Sequence, residues 1–291
     1  MTEPTGEHAR GTLYVVATPI GNLGDVTLRS LEILRAVPLI AAEDTRHTRR
    51  LLDRHAVATP MTGYHAQSDP GRAAVLLEHL RGGADLALVT DAGTPAVSDP
   101  GGELVAAWAA EGGVVVPIPG ASAVLAAVAG SGVAGPRWTF EGFLPRTGRD
   151  RRVFLERIAA DERGAVLFEA PSRVAVTLRE LATACGPDRP GAVCRELTKV
   201  HETISRGSLA GLAAAAASGE IPARGEFVLV VGAWSGRPPG AALDDAMTFA
   251  AARDEVERLV AEGTARGEAA RRVAASTGLP RRQLYGAGEP R

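Results

Sequence analysis

Short apolar runs alternate with amphipathic stretches throughout the chain. The runs at 13–18, 85–91 and 113–120 are rich in Leu, Val and Ile and are bounded by turn residues, which predicts buried strands. At 26–37 and 103–112 the apolar positions recur with helical spacing. The same criteria predict further strands at 165–170, 191–197, 201–207 and 225–233, and further helices at 46–54, 72–83, 121–132, 174–185 and 208–219. Another stretch with apolar residues lies at 38–45, between two predicted helices.

The order of these elements indicates the fold class. Strands that alternate with helices form βαβ units around a largely parallel sheet, so we predict an α/β protein. The strands at 191–197 and 201–207 have no helix between them, which predicts a mixed sheet in the second half. Asp25 precedes the first helical stretch and is its predicted N-cap.

Composition shifts divide the chain into three parts. The segment 135–152 interrupts the alternation with Pro, Gly and five arginines, and 235–242 has the composition of a linker. The predicted parts are an N-terminal α/β domain at 1–136, a C-terminal α/β domain at 137–234, and a linker with a small helical tail at 235–291. Within the tail, 270–286 resembles a helix–turn–helix with its turn at TGLP. From 263 to 291 the tail has six arginines and two acidic residues.

The composition excludes several classes of protein. Hydrophobic content of 45% and charged content of 23% are ordinary for a globular protein, and the net charge of −2 leaves nucleic-acid binding to local charge. Cys185 and Cys194 form no CxxC pair, and no spacing of His, Asp and Glu indicates a metal site. The polar segment MTEPTGEHARG differs from a secretory signal, and no apolar run reaches the roughly 18 residues of a membrane span. We therefore expect a cytoplasmic protein with no membrane segment.

Three glycine-bearing loops, at 17–25, 90–102 and 117–123, each follow a predicted strand. In an open α/β sheet, ligands bind beyond the carboxyl ends of the strands, so these loops predict a ligand crevice. The first loop lacks GxGxxG and the chain has no GK[ST], which argues against a phosphate cradle.

The loops carry carboxylates and hydroxyls instead. They are Asp91, Thr94, Ser98, Asp99 and Ser122. Such groups suit a ligand with ribose hydroxyls, amide-like edges and positive charge. For the two aspartates, helix capping and turn formation are the alternative explanation.

Six motifs, in order along the chain, resemble the tetrapyrrole-methylase superfamily. They are TPIGNLGD, AAEDTRHTRRLL, DAGTPAVSDPG, PGASA, FEAPSR and RELTKVHE, and the resemblance covers about residues 11–234. Corrin-pathway members usually have a first loop like VGxGPGDP. The TPIGNLGD form, followed by AEDTR, more closely resembles the small-subunit ribosomal RNA ribose methyltransferases of this superfamily.

The resemblance implies S-adenosylmethionine as cofactor, held in a cleft between two α/β domains. This cofactor has no phosphate, which agrees with the missing phosphate loop. By motif, the residues that would bind it are Pro19, Asp91, Gly93, Thr94, Ser122, Ala123, Phe168 and Phe227.

The resemblance also implies a reaction and partners. The reaction is methyl transfer to the 2′-hydroxyl of a cytidine in the decoding region of 16S rRNA, with the assembled 30S subunit as substrate and a homodimer as the enzyme. Basic clusters at 46–55 and 146–157 could bind RNA phosphates, although a solvated helix face has the same pattern. The RNA-binding candidates are Arg46, Arg49, Arg50, Arg146, Arg149 and Arg173.

Lys199 is the only lysine in the chain, and the other 31 basic residues are arginine. Codon bias alone could produce this, yet an amine has a tunable pKa that guanidinium lacks. Desolvated beside arginines, Lys199 could be the base that helps a ribose hydroxyl lose its proton, or, if charged, a phosphate ligand. Glu43, Asp44 and Glu202 are competing bases, and each could instead be the partner of an arginine. The sequence does not choose among them.

Two other functions stay open at this point. A corrin-type small-molecule methylase would share the fold and cofactor, but it would need a large apolar acceptor trough and no basic tail. A non-catalytic RNA-binding protein would use the basic patches alone and would leave the three loops unexplained. In the tail, Gly286, Gly288 and Pro290 would stop a helix that relatives continue, which predicts a short recognition helix.

Overall fold

The computed structural model describes residues 10–65, 70–234 and 249–277, together with Leu284. The chain divides into two compact units, 1–235 and 236–291. The predicted boundary between two α/β domains at 136–137 stays a prediction. The linker predicted at 235–242 lies outside the described residues.

The first half forms a five-stranded parallel sheet. Its strands are β1 (Thr12–Val16), β2 (Leu39–Ala42), β3 (Met61–Gly63), β4 (Leu86–Val89) and β5 (Val114–Ile118), and its helices are α1 (Leu28–Ala36), α2 (Thr45–Arg54), α3 (Pro70–Arg81), α4 (Gly102–Ala110) and α5 (Ala123–Ser131). The strand order is β3-β2-β4-β1-β5, and all neighbouring strands are parallel. The predicted α/β class is confirmed, although β3, with three residues, was not predicted from the sequence.

Helices cover both faces of this sheet. On one face Leu34 of α1 and Leu52 of α2 pack with the strands, and on the other Leu80 of α3 and Trp108 of α4 do so, each side chain fully buried. A parallel sheet buried on both faces needs continuous apolar strands, which explains why β4 (LALV) has no polar residue.

The second half forms a mixed sheet. Its strands are β6 (Trp138–Phe143), β7 (Gly164–Glu169), β8 (Pro190–Arg195), β9 (Thr203–Ser208) and β10 (Phe227–Val231), and its helices are α6 (Gly148–Ala160), α7 (Val174–Cys185) and α8 (Leu209–Ser218). The order is β6-β7-β10-β8-β9, with β6 parallel to β7 and the other pairs antiparallel. The predicted mixed sheet is confirmed, and the predicted strands at 191–197 and 201–207 are its β8–β9 hairpin.

Helix α5 joins the two halves. It follows β5 of the first sheet, yet its residues Val124 and Ala127 pack against Val166 and Val228 of the second sheet. Helices α6, α7 and α8 cover the opposite face of that sheet. The shared core holds the loops at the edge of the first sheet beside the strand ends of the second.

One local prediction was wrong. The N-cap of α1 is Thr27, whose Oγ1 accepts from the Ser30 amide at 3.0 Å, whereas Asp25 belongs to a preceding short 3₁₀ turn. The segment 135–152, where the domain junction is predicted, also contains β6 and the start of α6, two elements that were not predicted from the sequence. Its Pro, Gly and Arg content hid these elements because Arg151, a charged residue, lies on the buried side of α6.

The smaller unit contains α9 (Phe249–Ala261) and α10 (Arg266–Thr277). Their buried side chains, Ala252, Val256, Ala269, Ala270 and Val273, form a small core of their own. The predicted helical tail is confirmed. The proposed helix–turn–helix at 270–286 is described only through Thr277, and most of its turn and second helix lie outside the described residues. Within the described ranges, no helix is long and apolar enough to cross a membrane.

Candidate active site

The carboxyl ends of the parallel strands meet at one edge of the first sheet. There the loop after β1 is tied to the loop after β4, because Thr18 and Gly93 exchange two backbone hydrogen bonds, of 2.8 and 3.0 Å. Gly93 has φ +79°, a conformation that favours glycine. The predicted crevice therefore has a defined wall built from two of the three glycine-bearing loops.

A cavity of about 390 Å³ lies between these loops and the second sheet. We call it the first cavity. Six of the predicted cofactor residues line it: Gly93, Thr94, Ser122, Ala123, Phe168 and Phe227. Ile20, Val97 and Phe143 add to its apolar walls. The structure thus brings together residues from loops of both sheets, while Pro19 and Asp91 line a neighbouring cavity instead.

Asp99 also lines the first cavity, although the sequence motifs did not assign it to the cofactor. Burial, reinforced by the negative charges of Glu43 and Asp91, raises the pKa of Asp99 to about 6. A cation beside Asp99 would favour the ionised form of its carboxyl group, which burial and the neighbouring charges disfavour. The first cavity is therefore electrostatically suited to a positively charged ligand.

Glu43 and Asp91 shape the loops at this edge. The Asp91 amide donates to Glu43 Oε2 at 3.2 Å, and the Asp44 amide donates to Asp91 Oδ1 at 3.0 Å. Asp44 itself caps α2 and forms an ion pair with Arg46 at 2.8 Å. Hydrogen bonds from the Arg46 side chain and amide hold the pKa of Asp44 well below its usual range. Asp44 is consequently a weak base. Its ion pair with Arg46 is the structural role that the sequence analysis left open for this carboxylate.

Lys199 lies in the turn between β8 and β9. Its Nζ contacts Glu196 Oε1 at 2.9 Å and Glu226 Oε2 at 3.0 Å, so its partners are carboxylates and not the expected arginines. Partial burial alone would lower the pKa of Lys199, but the hydrogen bonds and charges of the two glutamates outweigh it and raise the pKa. The amine is therefore held as an ammonium, which argues against a neutral base in the resting protein.

The turn that carries Lys199 has an unusual backbone. Glu196 and Thr198 have φ angles of +53° and +67°. Residues other than glycine rarely adopt such angles, and the residues that do are frequently found at functional sites. The lysine stem also packs on the TPIGNLGD loop, since a Cβ on Gly21 would lie 2.5 Å from Lys199 Cγ. The glycine in this loop thus makes room for the lysine.

A second cavity, of about 300 Å³, adjoins the first. It is lined by Lys199, by Pro19 and Asp91, and by His47 and Arg50 of α2. The residues common to both cavities are Ile20, Ala92 and Glu226. Two ligands bound in the two cavities would therefore be separated by a shared wall of a few side chains.

Glu169 is another residue that sequence reasoning missed. It is buried, lines the first cavity, accepts a hydrogen bond from Thr177 Oγ1 at 2.6 Å and pairs with Arg173 at 2.6 Å. Arg173, predicted to bind RNA, is thus engaged by Glu169 of the same FEAPSR motif. The sequence carries no signal for this pair, because Glu169 ends strand β7 and the rule for i, i+4 neighbours applies to helices.

The other predicted RNA-binding residues are exposed. They are Arg46, Arg49 and Arg50 on α2, and Arg146 and Arg149 at the start of α6. The basic cluster at 146–157 has fewer arginines available to RNA than its composition suggests. Arg151 is buried and pairs with Glu180 at 2.6 Å, and Arg157 pairs with Glu141. Across the part of the chain that the structure describes, no group of three or more His, Cys, Asp or Glu could hold a metal.

Comparison with known proteins agrees with this geometry. The family model of tetrapyrrole (corrin/porphyrin) methylases matches residues 12–213. Ribosomal RNA small subunit methyltransferase I from Synechocystis is 48% identical over 277 residues, which is 94% of this chain and 96% of that protein. Proteins of the same name from Xylella fastidiosa and Bacillus subtilis are 45% and 38% identical, over 95% and 97% of this chain and 98% and 95% of their own lengths.

Solved structures share the fold. A cobalt precorrin-4 methyltransferase of cobalamin biosynthesis superposes with a TM-score of 0.59 at 19% identity, over 76% of this chain and 94% of its own. A uroporphyrin-III C-methyltransferase from Thermus thermophilus, complexed with S-adenyl homocysteine, has a TM-score of 0.55 at 20% identity, over 76% and 97% of the two chains. By the family model and its near-full-length relatives, this chain belongs to the tetrapyrrole methylase family, among the members named ribosomal RNA small subunit methyltransferase I.

Proposed function

We propose that this chain transfers a methyl group from S-adenosylmethionine to small-subunit ribosomal RNA, at the 2′-hydroxyl of a cytidine in the decoding region of 16S rRNA. The observation that carries the proposal is the pair of adjoining cavities. One is lined by a carboxylate and apolar side chains, the other opens at the basic helix α2, and Ile20, Ala92 and Glu226 belong to both.

The first cavity fits the cofactor chemically. When bound, S-adenosylmethionine supplies a methyl carbon on a positively charged sulfonium. Asp99 offers negative charge to a cation, and Thr94 and Ser122 offer hydroxyls to a ribose or amino-acid group. Phe168 and Phe227 provide apolar surface. The chain has no glycine-rich phosphate loop, and this cofactor needs none.

The role we propose for Lys199 follows from its charge. An ammonium cannot accept the proton that a ribose hydroxyl loses, but it can donate a hydrogen bond to that oxygen or to the adjoining phosphate. Glu226, which pairs with Lys199 and lines both cavities, can take the proton and pass it to water, since its side chain is 72% exposed. Glu43 and Asp44, candidate bases by sequence, act in this scheme through loop geometry: Glu43 holds the Asp91 amide, and Asp44 caps α2.

The partners belong to the same proposal. Exposed arginines of α2, with Arg146 and Arg149, would contact RNA phosphates, and the assembled 30S subunit would be the substrate in the cytoplasm. A homodimer is proposed from the family resemblance. Analytical ultracentrifugation of the full chain tests that part, because a sedimentation coefficient of the 30.1 kDa monomer at micromolar concentration would reject it.

The experiment that tests the function is methyl transfer from labelled S-adenosylmethionine to unmodified small ribosomal subunits. A 2′-O-methyl blocks alkaline cleavage, which needs a free 2′-hydroxyl, so the label should appear in an alkali-resistant dinucleotide that contains cytidine. Naked 16S rRNA is the matched substrate and should be labelled less. Cofactor binding without any label in RNA would reject the proposal and favour a small-molecule acceptor of the corrin type.

A further inference from the structure

We propose that the second cavity binds the acceptor nucleotide itself, with Thr48 and Thr90 as the residues that recognise its polar atoms. This inference rests on the proposed function and names the place where the RNA substrate is held. The acceptor in this proposal is a pyrimidine nucleotide, whose base would have to leave the stack of the RNA strand to enter the cavity.

Two buried threonine hydroxyls without hydrogen-bond partners support this proposal. Thr48 and Thr90 are 3% and 1% exposed, and the Oγ1 atom of each is buried without a hydrogen-bond partner. A buried hydroxyl without a partner costs free energy, so folded proteins rarely leave one in that state. In the described residues only four side-chain atoms are of this kind, and two of them belong to residues that line this one cavity. In this conformation neither oxygen is accessible from the cavity that its residue lines, so a polar ligand there would pair with the two hydroxyls after rotation of the threonine side chains.

The two threonines arise from separate elements. Thr48 lies on α2, one turn after the Asp44 cap, and Thr90 directly follows β4, one residue before Asp91. A helix and a strand end therefore both contribute to the lining of this cavity. These elements are held by the sheet core, where Leu52 of α2 packs with Val89 of β4, so the backbone positions of the two threonines are fixed relative to each other.

The remaining walls match a nucleotide. Ile20 and Leu51 offer apolar surface to the faces of a base, while His47 and Arg50 on α2 are exposed and offer donors to flanking phosphates. The volume of about 300 Å³ is at the lower end for small-ligand sites, which suits one nucleotide better than a tetrapyrrole. A site with apolar faces, a polar edge and basic residues has the complementary features of a nucleoside monophosphate.

The position of the cavity fits the chemistry. Lys199 lines it, and Glu226, Ile20 and Ala92 separate it from the first cavity. A nucleotide seated against Thr48 and Thr90 would have its sugar near this shared wall. The acceptor oxygen would then face the cofactor, while the base points to the threonines.

The test uses Thr48→Val and Thr90→Val, which keep the shape and remove the hydroxyl. We expect each variant to bind S-adenosylhomocysteine like the wild type by calorimetry, and to show a KM for unmodified small subunits raised about tenfold, the loss of one hydrogen bond to a buried group. Thr48→Ser, which restores a hydroxyl, should recover most of the affinity. Thr59→Val is the matched control: Thr59 is also buried, but its hydroxyl donates to Leu34 O at 2.6 Å and does not line the cavity.

Two outcomes would overturn the inference. If Thr48→Val and Thr90→Val have the KM of the Thr59→Val control, the hydroxyls bind only water. If the wild type methylates no RNA, the proposed function fails, and the cavity is then judged separately by saturation-transfer NMR with cytidine 5′-monophosphate. Binding that is lost in Thr48→Val supports a nucleotide site without the reaction, and no binding to the wild type rejects the site.

Discussion

The pH dependence of cofactor binding tests the electrostatics of the first cavity most directly. Asp99 has a pKa of about 6 in the free protein because burial and the charges of Glu43 and Asp91 disfavour its ionised form. A bound cation favours ionisation, so the pKa of Asp99 must fall when S-adenosylmethionine binds. Binding then releases a proton below about pH 6, and the affinity must rise as the pH rises through that value.

The size of the effect follows from the same pKa. A full return from about 6 to the ordinary 3.8 would span about two pH units. The side chain is only half-buried, however, and solvent screens a half-exposed charge. We therefore expect a difference of about one unit between the free and bound pKa, which is a tenfold gain in affinity, or about 1.4 kcal/mol, between roughly pH 5 and 7. The cofactor-free protein shows the opposite sign: its folded state holds this proton between about pH 4 and 6, so the contribution of Asp99 to the free energy of unfolding falls as the pH rises through that window.

The assay is titration calorimetry from pH 5 to 8 in two buffers of different ionisation enthalpy. The wild type should release protons near pH 5.5 and bind about tenfold more tightly at pH 7. Asp99→Asn, fixed in the neutral state, should bind about tenfold more weakly at pH 7 with a flat profile, and Glu43→Gln should move the midpoint to lower pH because one raising charge is gone. A wild-type affinity that does not change with pH, or an equal slope in Asp99→Asn, would refute the reasoning.

Comparing S-adenosylhomocysteine with S-adenosylmethionine shows which positive group of the cofactor lies near Asp99. S-adenosylhomocysteine lacks the positive sulfur but keeps the amino-acid group, so a weaker pH dependence for this ligand would place Asp99 near the sulfonium. An equal dependence would place the carboxylate near the amino-acid end instead. Both results keep the electrostatic argument, and they differ only in where the cation lies.

Three further predictions concern single arginines and the lysine. Lys199→Met should abolish methyl transfer with cofactor affinity kept, whereas Lys199→Arg, which stays cationic, should keep measurable turnover. An inactive Lys199→Arg, together with wild-type turnover that rises with pH through one ionisation, would favour a neutral amine as the base instead. The buried guanidinium of Arg189 donates to the carbonyls of Gly232, Ile158, Asp161 and Arg163 at 2.8–3.2 Å. Arg189→Met should cost about 3–5 kcal/mol and lower the Tm by about 10 °C in a thermal melt, and a change under 2 °C would contradict this. Arg49→Gln on α2 should reduce the salt dependence of RNA binding by about 0.7 in slope in filter binding, while Arg179→Gln on α7 should not.

Much of the fold was predictable because most of its helices and strands have a recognisable pattern of apolar and polar residues within their own segment. The helix of 174–185 was predicted with the same ends that the structure has, since its apolar positions recur at helical spacing and Gly186 follows it. Strands β4 and β10 are continuous apolar runs, which is the pattern of strands buried on both faces. The elements that were missed, β3, β6 and α6, are short or carry charge toward the core, so their local pattern resembles that of a loop.

The candidate site was predictable only in part. Glycine loops and motif residues such as Thr94 and Ser122 were found from the sequence, and they meet in one cavity because parallel strands end at one edge. Asp99 was a candidate ligand group from the sequence, but its raised pKa and the roles of Glu169 and the two buried threonines were not found, because each depends on the side chains that surround it. Burial and an absent partner have no signature in the order of residues.

The sequence by itself determined the class of fold, most of the strands and helices, the lack of a phosphate loop and the presence of one lysine. The tertiary structure decided how that lysine is charged. Lys199 meets Glu196 in its own turn and Glu226, which directly precedes the distant strand β10, and both carboxylates keep the amine protonated. A pKa responds to every charge within a few ångströms, and only the folded chain brings those charges together.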